Sequence, residues 1–199
     1  MNFSRSENKR IALFLPSLHG GGAERIMLNI AEGLIARGES VDVVVVRAEG
    51  DLRADLSPVI NVIDLDCKHA FQALLKLISY LRKEEPSVIL ATPCHVSIIA
   101  LSAKLFTRVR TRVIVREANT LSHSLKSLVW WKAFVLRSLI KILYKTADGV
   151  IAVSKGVADD LSRTLGMPLH RIKTIYNPTI MPTFDVEVSK PVRHRWYCE

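Results

Sequence analysis

Seven short apolar runs punctuate the chain, and most of the intervals between them are long enough for a helix. Residues 11–16 (IALFLP), 41–46 (VDVVVV), 59–65 (VINVIDL), 88–92 (VILAT), 112–117 (RVIVRE), 149–154 (GVIAVS) and 172–176 (IKTIY) are rich in β-branched side chains and show no sustained in–out alternation. Such runs read as short buried strands. Segments 22–37, 69–84, 96–106, 124–146 and 155–165 carry helical apolar spacing instead. Non-alternating strands joined by helices predict an α/β fold, a Rossmann-like doubly wound parallel sheet of about seven strands covered on both faces. Gly38 closes the first helix, Pro86 follows the second and Gly166-Met-Pro168 ends the last. The pattern stops after Asn177-Pro178. Residues 10–180 are thus expected to form one domain, preceded by a polar segment (1–9) and followed by a linker or tail (181–199).

Composition adds to this picture chiefly through charge. With 199 residues and 49% hydrophobic content the chain can bury a real core. Segment 125–145 carries five Lys or Arg, too many for a simple transmembrane helix. The polar start MNFSRSENKR lacks a signal-peptide apolar region, so the expected location is cytoplasmic. Cys67, Cys94 and Cys198 are widely spaced, which fits reduced thiols, and neither Cys67-x-His69 nor Cys94-His95 has a second ligand pair, so no metal site is expected. The net charge is +9, and residues 104–145 alone hold ten basic side chains against one acid, Glu117. The rest of the chain is balanced, so the surplus marks a local surface for an anionic partner.

A single helix from Leu125 to Lys145 would gather Lys126, Trp130, Phe134, Arg137, Lys141 and Lys145 in one sector. Its opposite arc would hold Leu125, Leu128, Val129, Val135, Leu136, Leu139, Ile140, Ile142 and Leu143 toward the core, with Lys132 snorkelling from the apolar side. Aromatics among cations are what an interfacial helix presents to an anionic bilayer. A covering loop or domain over Trp130 and Phe134 is the alternative. No recognition motif points to nucleic acid.

In a parallel sheet, ligands bind at the carboxyl ends of the strands. On that rim fall HGGGAE after the first strand, Thr92-Pro-Cys-His95 after the fourth, Arg116-Glu-Ala-Asn119 after the fifth and Ser154 after the sixth. Three successive glycines, Gly20, Gly21 and Gly22, suit a loop whose main chain must approach a phosphate or sugar, ahead of a helix N-terminus. The third glycine of a dinucleotide fingerprint is missing, with Arg25 in its place, and no acid directly ends the second strand. NAD is therefore a poor fit, and NADP, which could use Arg47, a slightly better one. GxxxxGK[ST] is absent, and HGGG has no accompanying GxSxG elbow, which removes P-loop and lipase readings.

PSLHGGGAER (16–25), VREANTLS (115–122), ADGVIAVSKGVADDL (147–161) and IKTIYNPTI (172–180) together resemble, in order, the N-terminal domain of glycosyltransferase family 4, the retaining GT-B enzymes. The resemblance spans roughly residues 10–180. It implies one half of a GT-B architecture, the acceptor side of an enzyme that moves sugar from a nucleotide-sugar donor to a lipid-linked or glycan acceptor in cell-surface polysaccharide synthesis. No cofactor or metal is implied. Gly20, Gly21 and Gly22 would face the donor diphosphate, with Glu24 and Arg25 in the first helical turn. Glu24 has an alternative role as an acid complementing the helix dipole. Many members place a histidine near the reacting sugar after the fifth strand. Here Arg116, Glu117 and Asn119 stand, and the nearest histidine is His123. Glu117 is the weak catalytic candidate. Arg116, Asn119, His19 and His95 are candidate contacts, Arg116 equally a surface ion pair, and Ser154 is either a contact or a helix N-cap.

Glu24 and Glu32 have the Glu-x7-Glu spacing of the family's donor domain but lie in the wrong half. The donor-binding domain itself is expected to be absent, leaving the chain unable to catalyse transfer alone. The rival readings are a non-catalytic acceptor- or membrane-binding module that partners a separate donor subunit, and an NADP-binding protein. The resemblance and the basic helix together place the expected protein at the inner face of the plasma membrane, as a peripheral component.

Overall fold

A computed structural model describes residues 10–53 and 56–178. The polar segment 1–9, the tail 181–199 and Cys198 lie outside the described residues. All seven expected strands form: β1 (Ile11–Leu15), β2 (Val41–Val45), β3 (Asn61–Asp64), β4 (Val88–Ala91), β5 (Arg112–Glu117), β6 (Gly149–Ala152) and β7 (Ile172–Thr174). They pair in parallel in the order β3-β2-β1-β4-β5-β6-β7. The order reverses between β1 and β4, which opens a crevice at their carboxyl ends.

Helices α1 (Gly22–Ile35), α2 (Ala70–Glu84) and α3 (Cys94–Phe106) follow the expected spans within two residues, as does α6 (Lys155–Leu165). Their ends obey local chemistry. Gly38 (φ +82°) and Gly166 (φ +66°) take left-handed backbone just past α1 and α6, where a Cβ would be disfavoured. At the opposite edge of the sheet from the carboxyl ends, buried Asp42 on β2 accepts hydrogen bonds from Tyr80 Oη (2.7 Å) and Asn61 Nδ2 (2.8 Å). Those bonds tie β2, β3 and α2 together around a carboxylate that would otherwise be costly to bury.

Two expectations fail. Residues 124–146 do not form one helix. The chain makes α4 (Leu121–Lys126), breaks at Ser127-Leu128-Val129, and resumes as α5 (Trp130–Leu143) before a 3-10 turn at Tyr144–Thr146. Apolar spacing continues across the break, so periodicity alone cannot detect it. Packing decides it: α4 is anchored on α6, where Asp160 accepts from Ser122 N at 3.0 Å, while α5 runs across α3 and α6. The arc expected to face the core is buried only at Leu125, Ile140 and Leu143, with Leu136 half-buried. Leu128, Val129, Val135, Leu139 and Ile142 are exposed. Lys132 does not snorkel inward but sits 5.4 Å from the Trp131 ring centroid.

The sheet is also covered unevenly. Ala12 and Phe14 of β1 face the large core under α2, α3, α5 and α6, whereas Leu13 and Leu15 face a smaller one under α1. On the α1 side no other helix among the described residues covers β5 and β6, where Ile114 and Ile151 remain half-buried. Burial accordingly alternates along β4 and β6, although their composition is apolar at both parities.

Candidate functional site

The glycine run splits into three roles. Gly20 (φ +91°) turns the chain out of β1, Gly21 is the extended N-cap of α1, and Gly22 is its first helical residue. No side chain makes a capping hydrogen bond to α1, so its first N–H groups are left without a side-chain acceptor. A fourth glycine supports them. Gly50 (φ +122°) lies against the Leu18 carbonyl and His19 N, where any Cβ would overlap main chain. Leu52 N also donates to Leu18 O at 3.1 Å, so the 48–52 loop backs the glycine turn.

A cleft of about 700 Å³ opens at this helix end, between α1 and the termini of β4 and β5. Gly21, Gly22, Glu24, Arg25, Pro93, Arg116, Asn119 and Asn177 line it. Four segments far apart in sequence therefore meet where the strand order reverses. Glu24 folds back over Gly21, into the space a Cβ there would take. Arg116 is 3% exposed and is not a surface ion pair. Its Nη2 donates to Asn177 Oδ1 at 2.6 Å and its Nη1 approaches Thr92 Oγ1 at 3.5 Å. Desolvation lowers its pKa, against the opposing pull of Glu117. The guanidinium thus pins the segment after β7 to the end of β5.

Glu117 points to the opposite face of the sheet, into a smaller pocket of about 280 Å³ that shares Pro93 and Asn119 with the cleft. His95, Ser124 and Leu136 also line it. Glu117 is 3% exposed, and Tyr144 Oη donates to its Oε1. Burial raises the Glu117 pKa to about 7, though Tyr144 and Arg116 pull it down. The same burial pushes the Cys94 thiol up to about 12. His95 is solvent-accessible, yet partial desolvation outweighs nearby Glu24 and lowers its pKa.

Ser154 takes the structural role: its Oγ accepts from Val157 N at 3.2 Å as the N-cap of α6, and it lines neither cavity. His19 is exposed beside Gly20 but outside both cavities. Arg47 pairs with Glu49 at 2.8 Å, which occupies the cation that an NADP phosphate would need. Lys126, Trp130, Phe134, Arg137, Lys141 and Lys145 are all exposed, as expected, but on α4, α5 and the following turn rather than on one helix. Among the described residues no three His, Cys, Asp or Glu side chains group closely enough to hold a metal ion. Sequence reasoning missed Asn177, Tyr144 and Gly50 as parts of the site. Only Asn177 had a signal, its place in the IKTIYNPTI motif.

The description "Glycosyltransferase Family 4" fits residues 20–179, a match that takes in the glycine loop, both cavities and Asn177. The chain belongs to Glycosyltransferase Family 4. No curated protein sequence matches it. Among solved structures, this glycosyltransferase domain is similar to the apo form of the lipopolysaccharide outer core galactosyltransferase WaaB (TM-score 0.66, 15% identity, 87% of this chain and 47% of that one). It is also similar to Anabaena Alr3699/HepE in complex with UDP-glucose (0.66, 21%, 85% and 44%) and to sucrose-phosphate synthase from Thermosynechococcus elongatus (0.65, 15%, 92% and 53%). At these identities the likeness establishes the fold, a Rossmann-like domain of the GT-B architecture. The chain spans about half the length of each of the three.

Proposed function

We propose that this family 4 domain is the acceptor side of a retaining glycosyltransferase that uses a nucleotide-sugar donor. The observation that carries the reading is the uncapped N-terminus of α1 opening, with Arg25 and Arg116, onto a cleft beside a second, carboxylate-floored pocket. HepE is named in complex with UDP-glucose, and a UDP-GlcNAc 2-epimerase from Neisseria meningitidis, of similar fold at 17% identity, with UDP-GlcNAc. Those names support a nucleotide sugar as the donor class here.

In this reading the cleft receives the donor diphosphate, and no cofactor or metal takes part. Main-chain N–H groups of α1 and the flanking guanidinium groups offset the charge that builds on the leaving diphosphate. The bare backbone at Gly21 and Gly22 lets the sugar carbon and the acceptor come close. The acceptor hydroxyl enters from the smaller pocket and donates to Glu117 Oε2, the oxygen that Tyr144 leaves free. Asn119, which lines both cavities, spans the two substrates. A lipid-linked or glycan acceptor for cell-surface polysaccharide fits the exposed basic and aromatic surface of α4 and α5, which would dock at the inner face of the plasma membrane. No helix among the described residues is long and apolar enough to cross it.

A separate donor-binding domain completes the enzyme. The test is transfer of labelled sugar from UDP-sugars to membrane lipid extract by the 199-residue chain, with and without a family donor domain added in trans or fused after Pro178. Transfer only with the added domain supports the reading. Binding of lipid extract with no transfer in either arm favours the non-catalytic module.

A further inference from the structure

The break between α4 and α5 creates a feature that a straight helix could not. A groove of about 790 Å³ runs between α4, α5 and α6. Lys126 enters it from α4, Arg137 from α5 and Arg163 from α6, and none of the three has an acidic partner within 4 Å among the described residues. Arg137 Nε donates to Thr164 O at 2.6 Å, which holds the guanidinium across the groove with its terminal nitrogens unengaged by the described residues. Arg163 Nε is likewise fixed on Asp159 O at 3.3 Å. The one acid in the lining, Asp160, is turned to Ser122 N, so the groove keeps two net positive charges.

One lip of the groove is apolar. Leu128, Trp130 and Phe134 line it, and the two aromatic residues are 80% and 69% exposed. The apolar surface continues past the groove over Val129, Val135 and Ile142. Three cations lining one groove beside an exposed apolar lip match a ligand that carries phosphate at one end and hydrocarbon at the other. A free phosphate would leave the rings unused, and a nucleic acid backbone would not call for aliphatic surface beyond them.

We propose that this groove binds the phosphate of a single anionic membrane lipid, its chains leaving over Leu128, Trp130 and Phe134 toward the bilayer. The proposal rests on the membrane reading above and adds to it a saturable site built by three helices. Arg163 of α6, outside the expected basic face, becomes part of the lipid contact. Bound there, the lipid would fix the orientation in which α5 lies on the bilayer.

The test uses the whole chain and dihexanoyl phosphatidylglycerol below its micelle concentration, followed by calorimetry, with dihexanoyl phosphatidylcholine, inorganic phosphate and a single-stranded oligonucleotide as comparison ligands. One saturable site for phosphatidylglycerol is expected, with phosphatidylcholine and inorganic phosphate each at least about tenfold weaker. Arg163→Gln, and separately Arg137→Gln with its melting temperature checked, should each weaken phosphatidylglycerol at least about fivefold. Lys68→Gln, an equal loss of charge at an exposed position outside the groove and the basic segment, should change it by less than about twofold. In parallel, co-sedimentation with vesicles of one part phosphatidylglycerol to three parts phosphatidylcholine tests the membrane reading. Vesicle binding without a saturable monomer site, or equal sensitivity to Lys68→Gln, would overturn the groove and spare the membrane reading. Loss of both would overturn both. Equal affinity for inorganic phosphate, or Arg163-dependent oligonucleotide binding tighter than lipid binding, would also sink the proposal.

Discussion

Glu117 acquires its chemistry from where the fold puts it. In the unfolded chain it titrates near the ordinary value of 4.5, and in the folded protein near 7, because burial penalises the charge. Between those values the unfolded state is ionised while the folded state keeps its proton, so stability falls as pH rises through the window. The loss should total roughly 3 kcal/mol, fully present above pH 7 and absent below the unfolded value. Glu117→Gln should flatten this slope: thermal melts at pH 5 and pH 8 should differ less in the variant than in the wild type. A slope identical in both would mean that Glu117 is solvated. With a donor domain supplied, the same variant should lose any rise in transfer rate centred near pH 7.

The glycines divide by consequence. Gly21 has ordinary extended backbone (φ −63°), and among the described residues the atoms nearest to a Cβ there are the movable end of Glu24. Gly21→Val should therefore shift folding by only about 1 kcal/mol while blocking the approach of main chain to ligand, so that turnover with an added donor domain collapses. Gly50→Ala should do the reverse at the level of folding. It combines left-handed backbone with overlap on Leu18 and should cost about 2 kcal/mol or more, read as a lower denaturant midpoint.

Among the elements, α5 is the informative one. Its stripe of Trp130, Phe134, Arg137 and Lys141 was legible from spacing, because side chains three and four residues apart share a helix face. The exposure of Val135, Leu139 and Ile142 was not, because hydrophobicity reports only that a residue prefers to leave water and not which surface covers it. Trp130→Ser with Phe134→Ser should abolish sedimentation with anionic vesicles and leave the thermal transition intact, since both rings stand clear of the core. A lost transition would show the rings to be structural. On α6, Ser154→Ala removes a cap and should lower stability by about 1 kcal/mol without changing transfer kinetics. A large change in KM with unchanged stability would return Ser154 to the substrate.

At the scale of the whole molecule, the chain spans about half of each of the three similar solved structures, and the donor-binding domain belongs to the reading proposed above. The expected outcome is that the 199 residues fold, bind membrane, and transfer little sugar until a donor domain is present, because orienting both substrates can account for about 7–11 kcal/mol of barrier lowering. Robust transfer by the chain alone, measured with labelled UDP-sugars, would defeat that account.

Local chemistry alone determined the seven strands, the parallel class of the sheet, the glycine loop at its rim and the cationic character of residues 104–145. These follow from strand propensity, helical spacing and charge, all of which act over a few residues and survive without knowledge of the rest. Tertiary structure decided what depends on neighbours distant in sequence. It joined Arg116 to Asn177, placed Tyr144 on Glu117, committed Ser154 to a cap, broke the helix at residues 127–129 and, among the described residues, left no helix over β5 and β6 on the α1 face. Each of those outcomes is set by which surfaces meet, and burial, desolvation and hydrogen-bond partners come into existence only when they do.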